Sequence, residues 1–99
     1  MKEKYTKYDT ADYLKTEEDM AGYLDACFEE SGGDPAFIAK ALGTIARARG
    51  MSQVAKKAGL SRESLYKALG TEGNPGFGTI IRVMHALDLK LSITDAHAH

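Results

Sequence analysis

Cysteine and long apolar runs are scarce in this 99-residue chain. The single cysteine, Cys27, cannot form an internal disulfide, and its position in an apolar stripe predicts a small buried side chain. A reducing cytoplasm is therefore the expected compartment. No apolar run is long enough to span a membrane, and the first twenty residues contain no apolar signal core. We accordingly expect one cytoplasmic domain that neither crosses a membrane nor is exported.

Motifs of catalysis and of metal binding are also missing. The sequence has no nucleophile–base pair, no phosphate-cradling glycine loop and no cluster of metal ligands. His97 and His99 fall in a tail, residues 96–99, that is expected to be frayed. We therefore expect no enzyme activity, no cofactor and no metal site.

Charge is unevenly distributed, although the net charge is only −1. Residues 1–34 contain four basic and ten acidic residues, whereas residues 35–69 contain seven basic residues and one acidic residue. This asymmetry indicates two partners of opposite charge, or an acidic arm that partly shields a basic face. Chance clustering on solvated helix faces is the alternative.

Capping and apolar spacing predict two helices in the first half of the chain. Thr16 is expected to cap the first, which ends at Gly32, and Asp34 with Pro35 is expected to open the second, which Gly50 closes. Helical spacing predicts their buried residues. In the first helix these are Met20, Tyr23, Leu24, Cys27 and Phe28, and in the second Phe37, Ile38, Ala41, Leu42, Ile45 and Ala46.

Residues 51–69 are expected to form two short helices around a tight turn. Ser52 is predicted to cap the first helix, Gly59 to end it and Ser61 to cap the second. The predicted inward set is Val54, Ala55, Ala58, Leu60, Leu65, Ala68 and Leu69. The second helix then exposes Arg62, Glu63, Ser64, Tyr66 and Lys67. Such side chains read the edges of DNA bases, although a plain helical hairpin would share the pattern.

The segments at the two ends of the chain are expected to lie around these helices. Asn74 and Pro75 are predicted to open a last helix, whose inward stripe is Phe77, Ile80, Ile81, Met84 and Leu87. The alternation of Leu89, Leu91 and Ile93 with polar residues predicts a strand. A lone strand must find a partner: its symmetry mate, which we favour, the Tyr5–Tyr8 region, or the sheet of another protein. Residues 1–9 are expected to be a short strand or a disordered arm, and residues 10–14 a turn or helix anchored by Tyr13 and Leu14.

The pattern Ala55-x-x-x-Gly59-Leu60-x-x-x-x-Leu65 resembles that of helix-turn-helix DNA-binding proteins. The order of predicted elements from Asp34 to Leu89 is similar to that of Xre/lambda-repressor-type domains. Three segments, Ala48 to Ala55, Gly59 to Leu69 and Glu72 to Pro75, together resemble the addiction-module antidote proteins, the HigA-like antitoxins. The sequence departs from the Xre pattern in one respect. Met51 stands where a glutamine is typical, with Gln53 two residues further on, so the first helix of the motif is expected to be about two residues shorter.

The resemblance implies an all-α, lambda-repressor-like helix-turn-helix bundle of about five helices. An acidic N-terminal helix (residues 1–33 with its arm) would precede the DNA-binding domain (residues 34–95), which ends in the short C-terminal strand. It also implies a homodimer that represses its own operon by binding operator DNA and that neutralises a basic RelE/ParE-like toxin. A stand-alone Xre-type repressor without a toxin is the alternative, and a protein-interaction module that has lost DNA binding is a third possibility.

The site residues divide into three predicted groups. The DNA-binding group is Gln53, Lys56, Ser61, Arg62, Glu63, Ser64, Tyr66, Lys67 and Asn74. The toxin-binding group, on a helix that could instead serve only packing and solubility, is Glu17, Glu18, Asp25, Glu29 and Glu30. The dimerisation group is Leu89, Leu91 and Ile93.

Overall fold

A computed structural model of the chain describes residues 14–70, 74–93 and 95. Within these ranges the chain forms five helices and no strand, so this part is an all-α bundle, and the predicted helix count is confirmed for it. The helices are α1 (Glu17–Ser31), α2 (Pro35–Arg49), α3 (Met51–Ala58), α4 (Arg62–Ala68) and α5 (Phe77–Ala86). None of these five is both long enough and apolar enough to cross a bilayer.

The first two helices begin where their capping residues predict. The Asp19 N–H donates to Thr16 Oγ1 at 3.0 Å and the Thr16 N–H donates to Asp19 Oδ2 at 3.1 Å, which forms a reciprocal capping box. Gly32, at φ 67°, ends α1 in the left-handed conformation. The Asp34 carboxylate accepts a backbone N–H of α2 at 3.2 Å, and Pro35 is the first helical residue. The local sequence therefore determines where α1 and α2 begin.

Helix α2 forms the centre of the core. From residue 38 to residue 46 every side chain except that of Lys40 is buried. Helix α1 packs on α2, and α3 contacts α2, α4 and α5, so the helices enclose one continuous apolar core. The largest fully buried side chains are Met20, Leu42, Ile45, Leu65, Val83 and Leu87.

Three phenylalanines that were predicted to face the core are exposed instead. The exposed fractions are 38% for Phe28, 40% for Phe37 and 71% for Phe77. Each lies in the first or last turn of its helix. The prediction of burial was therefore wrong at these three positions.

Predictions for the extreme ends of the chain are tested only in part. Leu14 is buried in the core, as expected of an anchoring residue. Its predicted companion Tyr13 and the Tyr5–Tyr8 region lie outside the described residues. The tail with His97 and His99 lies outside them as well.

The predicted C-terminal strand is not formed among the described residues. Leu89 is buried against the chain's own core, and its N–H donates to the Met84 carbonyl at 2.8 Å. Asp88, at φ 63°, turns the chain after α5, and the exposed fractions then rise to 42% for Leu91 and 93% for Ile93. A strand requires a neighbour for its N–H and C=O groups, and residues 89–93 have none in the described part of this chain. Leu89 therefore contributes to the core, while pairing through the other two residues stays a prediction.

Candidate nucleic-acid interface

A three-residue turn joins α3 to α4. Gly59 is left-handed at φ 74° and ψ 32°, and the Leu60 N–H donates to the Ala55 carbonyl at 2.8 Å. A hydrogen bond from the residue after a left-handed glycine back to a carbonyl of the last helical turn is typical of a glycine C-cap. Ser61 then caps α4, because its Oγ accepts the Ser64 N–H at 2.9 Å. The predicted roles of Gly59 and Ser61 are confirmed, and together they fix the direction in which α4 leaves α3.

The inner side of α4 is held by Leu65, which is fully buried, and by Leu69 at the helix end. Helix α3 packs against α4 and offers the small buried Ala55 and Ala58, which allow a close approach of the two helices. At Gly43 of α2, an added Cβ would lie 3.2 Å from the Leu69 carbonyl oxygen, so α2 approaches the same end of α4. The predicted inward set is confirmed as buried at Val54, Ala55, Ala58, Leu65 and Leu69, and as half-buried at Leu60 and Ala68.

The outer side of α4 is exposed at all five predicted positions, Arg62, Glu63, Ser64, Tyr66 and Lys67. Arg62 Nη2 lies 3.4 Å from the Tyr66 hydroxyl, and its guanidinium carbon lies 5.4 Å from the centre of the Tyr66 ring. Tyr66 therefore orients Arg62. The spacing of four residues, one helical turn, was the signal for this contact.

Ser61 and Ser64 form a second contact on the exposed start of α4. The Ser61 hydroxyl donates to Ser64 Oγ at 2.8 Å while it caps the helix. Ser61 is thus occupied by the helix itself. Ser64 accepts this bond, so its own hydroxyl proton can be donated outward to a base or a phosphate.

Helix α3 begins at Met51, two residues before the start that a cap at Ser52 would give. Gly50, at φ 105° and ψ 108°, is the N-cap, no side chain caps the helix, and Ser52 lies within the first turn. The capping role predicted for Ser52 and the expected shortening of the helix are therefore wrong. The physical reason is Gly50, whose positive φ lets α2 end and α3 begin with a single residue between them. Gln53 and Lys56 are both exposed on α3.

Helix α5 begins later than predicted. Its N-cap is Gly76, it starts at Phe77, and no side chain caps it, so the roles predicted for Asn74 and Pro75 are wrong. Gly76 is extended, at φ −72° and ψ 165°, and glycine after proline is a poor residue with which to continue a first helical turn. Asn74 is exposed instead at a groove of about 600 Å³ beside α4, which Tyr66 also lines.

Sequence reasoning had not assigned Arg49, the last residue of α2, or Lys57, in the last turn of α3, to the DNA-binding group. Arg49 and Lys57 border a small polar groove of about 260 Å³ together with Gln53. Arg49 Nη2 lies 3.3 Å from Glu17 Oε2 at the start of α1, and both side chains are partly exposed. The acidic helix and the basic segment therefore meet at this pair.

The five predicted toxin-binding carboxylates, Glu17, Glu18, Asp25, Glu29 and Glu30, are all exposed on α1. They do not form one face. Glu17 pairs with Arg49, whereas Glu18 and Asp25 border a groove between α1 and the residues that follow α5. The structure thus divides a set that the sequence had treated as one surface.

Cys27 and Tyr23 are the two groups of α1 with perturbed acidity. Burial raises the pKa of the Cys27 thiol, a hydrogen bond with Tyr23 opposes the rise, and the nearby charge of Glu30 adds to it. Burial likewise raises the pKa of the Tyr23 hydroxyl, with Cys27 adding to the rise and a hydrogen bond with Thr44 opposing it. A buried thiol that resists ionisation serves packing, as was predicted for Cys27. Among the described residues, no group of His, Cys, Asp and Glu side chains could hold a metal ion.

Comparison with known proteins gives two matches along nearly the whole chain. Residues 4–95 match the model of a protein family described as "Probable addiction module antidote protein". An uncharacterized protein of Haemophilus influenzae is 46% identical over 93 residues, which cover 94% of each chain. No solved structure matches the chain.

Proposed function

Because this chain belongs to the addiction module antidote family, which suggests an antitoxin role, we propose that it is the antitoxin of a type II toxin–antitoxin module. In this proposal it neutralises a basic toxin of the RelE/ParE kind. As a homodimer it also represses its own operon, with α3 and α4 as a helix-turn-helix of the lambda-repressor type. The observation that carries the DNA-binding part is the orientation of α4, whose Leu65 is fully buried while Arg62 and Lys67 are exposed.

The outer face of α4 has the chemistry for reading a major groove. Arg62, oriented by Tyr66, can donate two parallel hydrogen bonds to a guanine. Ser64 retains a hydroxyl proton for a base or phosphate, and Lys67 can hold the backbone. Glu63, also exposed, can accept from a cytosine amine.

Phosphate contacts would come from the elements on either side of α4. Neither α3 nor α5 has a side-chain cap, so backbone N–H groups in their first turns remain available to an anion. Gln53 and Lys56 are exposed on α3, and Asn74 is exposed before α5. These groups flank α4 in sequence, as expected of residues that position a recognition helix on the DNA backbone.

A dimer is proposed because one short recognition helix makes few base contacts. Two half-sites about 34 Å apart would double them. Ile93 is a large apolar side chain that is 93% exposed, which supports pairing of the residues around it with their symmetry mate.

Substitution of Ile93 with aspartate tests the dimer directly. The expected result is a monomer in sedimentation velocity at a concentration at which the wild-type chain is dimeric. Leu89 is left unchanged because it belongs to the protomer's core. A variant that remains dimeric would contradict pairing through this segment.

The DNA-binding proposal is tested with the purified chain and the DNA upstream of its own gene, by fluorescence anisotropy at several salt concentrations. Arg62→Ala should weaken specific binding by about 1–3 kcal/mol and relax the preference at one base pair. Lys67→Ala should weaken binding to all sequences and reduce the salt slope by about one. Lys40→Ala, at an exposed lysine of α2 outside the proposed interface, is the matched control. Equal affinities for Arg62→Ala and the wild type would refute the assignment.

The antitoxin proposal predicts that an adjacent open reading frame encodes a small basic protein, and it is tested by co-expression of the chain with that protein. The expected result is a complex that co-purifies and that relieves the growth arrest caused by the second protein alone. If the chain binds its operator but captures no such protein, the stand-alone repressor is the better description.

A further inference from the structure

A groove of about 640 Å³ runs between α1 and residues 89–92, which follow α5. Buried Leu24, Met84 and Leu89 form its floor, and the partly exposed Phe28 and Leu91 stand on its two sides. Most of its lining is therefore apolar and open to solvent. Exposed apolar concavities with polar rims are typical of protein–protein contacts.

The side of α1 that borders this groove differs from the side that enters the core. Ala21 and Gly22 lie between Glu18 and Asp25, both of which are exposed. The two acidic residues are seven positions apart and so about 10 Å apart along the helix axis. A Cβ added at Gly22 would meet no atom within 4 Å. The middle of this helix surface thus consists of small residues and is open to solvent, and each of its two ends carries a negative charge.

We propose that this groove receives an amphipathic helix of the toxin, an inference that rests on the proposed antitoxin function. Apolar side chains of that helix enter between α1 and Leu91. Basic side chains two helical turns apart on the toxin pair with Glu18 and Asp25. The contact thus combines the burial of apolar surface with two charge pairs at its rim.

Charge selects the toxin over a second copy of this chain as the occupant. Two acidic residues and one basic residue, Lys90, are found among the described residues that line the groove. A two-fold axis through the groove would place the same patch on both sides of the interface. The carboxylates of Glu18 and Asp25 in one copy would then meet those of the other, and like charges that meet across an interface oppose association. A basic helix meets no such opposition.

Gly22→Phe tests the groove without disturbing the core, because the new side chain meets open space. The matched control is Ala26→Phe, an equally bulky change at an exposed position of the same helix that does not line the groove. Affinity for the purified protein encoded beside this chain is measured by isothermal titration calorimetry. Gly22→Phe should weaken binding on the order of thirtyfold or more, as expected for the loss of a central contact. Ala26→Phe should change it less than about threefold, as for a near-neutral contact outside the interface centre.

Three further results would overturn the inference, each in a distinguishable way. If Gly22→Phe binds as tightly as the wild type, the antitoxin function stands and the groove is not the toxin's site. If Gly22→Phe changes the sedimentation of the free chain while Ala26→Phe does not, the occupant is a second copy. If the wild-type chain itself does not bind the neighbouring protein, the antitoxin function fails and the inference falls with it. Equal thermal melting of the two variants serves as the folding control.

Discussion

Replacing Leu65 with alanine is expected to destabilise the chain by about 3 kcal/mol, toward the lower end of the range for fully buried leucines. Leu65 is fully buried and is the sole buried residue within α4. A helix of seven residues is too short to be stable by itself, so its position depends on this side chain and on Leu69 beyond its end. A domain of this size has a total stability of about 5–15 kcal/mol. The loss is therefore large enough to lower the melting temperature by about 12–24 °C.

The measurement is urea unfolding followed by circular dichroism, with Phe77→Ala as the control. Phe77 is 71% exposed, so the loss of an even larger apolar side chain should cost less than about 1 kcal/mol there. An unchanged dependence of the unfolding free energy on urea would show that the two states compared are the same in all variants. A loss below about 1 kcal/mol for Leu65→Ala would refute the burial of Leu65. The outward orientation of Arg62 and Lys67, and with it the proposed DNA contact, would then lose its basis.

Two smaller effects follow from other contacts. Ser61→Ala should lower the free energy of unfolding in urea by about 1 kcal/mol because the start of α4 loses its cap. Ser61→Asp should retain most of the stability, since aspartate also caps helices well. Equal losses for both variants would contradict the capping role. The Cys27 thiol should react slowly with a disulfide reagent at neutral pH in the folded chain and rapidly in denaturant, since burial raises its pKa; rapid reaction of the folded chain would contradict this. Because the pKa values of Cys27 and Tyr23 are both raised in the folded state, the unfolded chain loses these protons first. The unfolding free energy should therefore fall as the pH rises past their ordinary values of 9.0 and 10.0, in unfolding curves measured across that range.

The features that sequence alone could predict are those that depend on residues three or four positions apart. Thr16, Asp34 and Ser61 cap helices as predicted because the bonded N–H lies three residues away in each case. Gly59 ends α3 because the left-handed conformation that the turn requires is readily available to glycine. The buried face of α4 was likewise predictable from helical spacing.

The predictions that failed depended on competition between neighbouring signals. Ser52 is a good capping residue, yet Gly50 begins the helix earlier, and Gly76 delays α5 beyond Asn74. Spacing also could not show where the surrounding helices stop, which decides that Phe77 is exposed. The strand expected to include Leu91 requires a second chain or segment, which one chain's sequence cannot supply.

The distribution of ion pairs bears on why α1 is acidic. If this helix served mainly to shield the basic segment, its carboxylates would pair with the basic residues of that segment. Among the described residues only Glu17 does so, with Arg49, and an exposed pair of this kind contributes at most about 1 kcal/mol. Glu18 and Asp25 instead border an apolar groove between α1 and the residues that follow α5. Since carboxylates beside an open apolar surface attract a basic partner that also buries apolar side chains, this arrangement supports the proposed toxin contact of α1 over shielding within the chain.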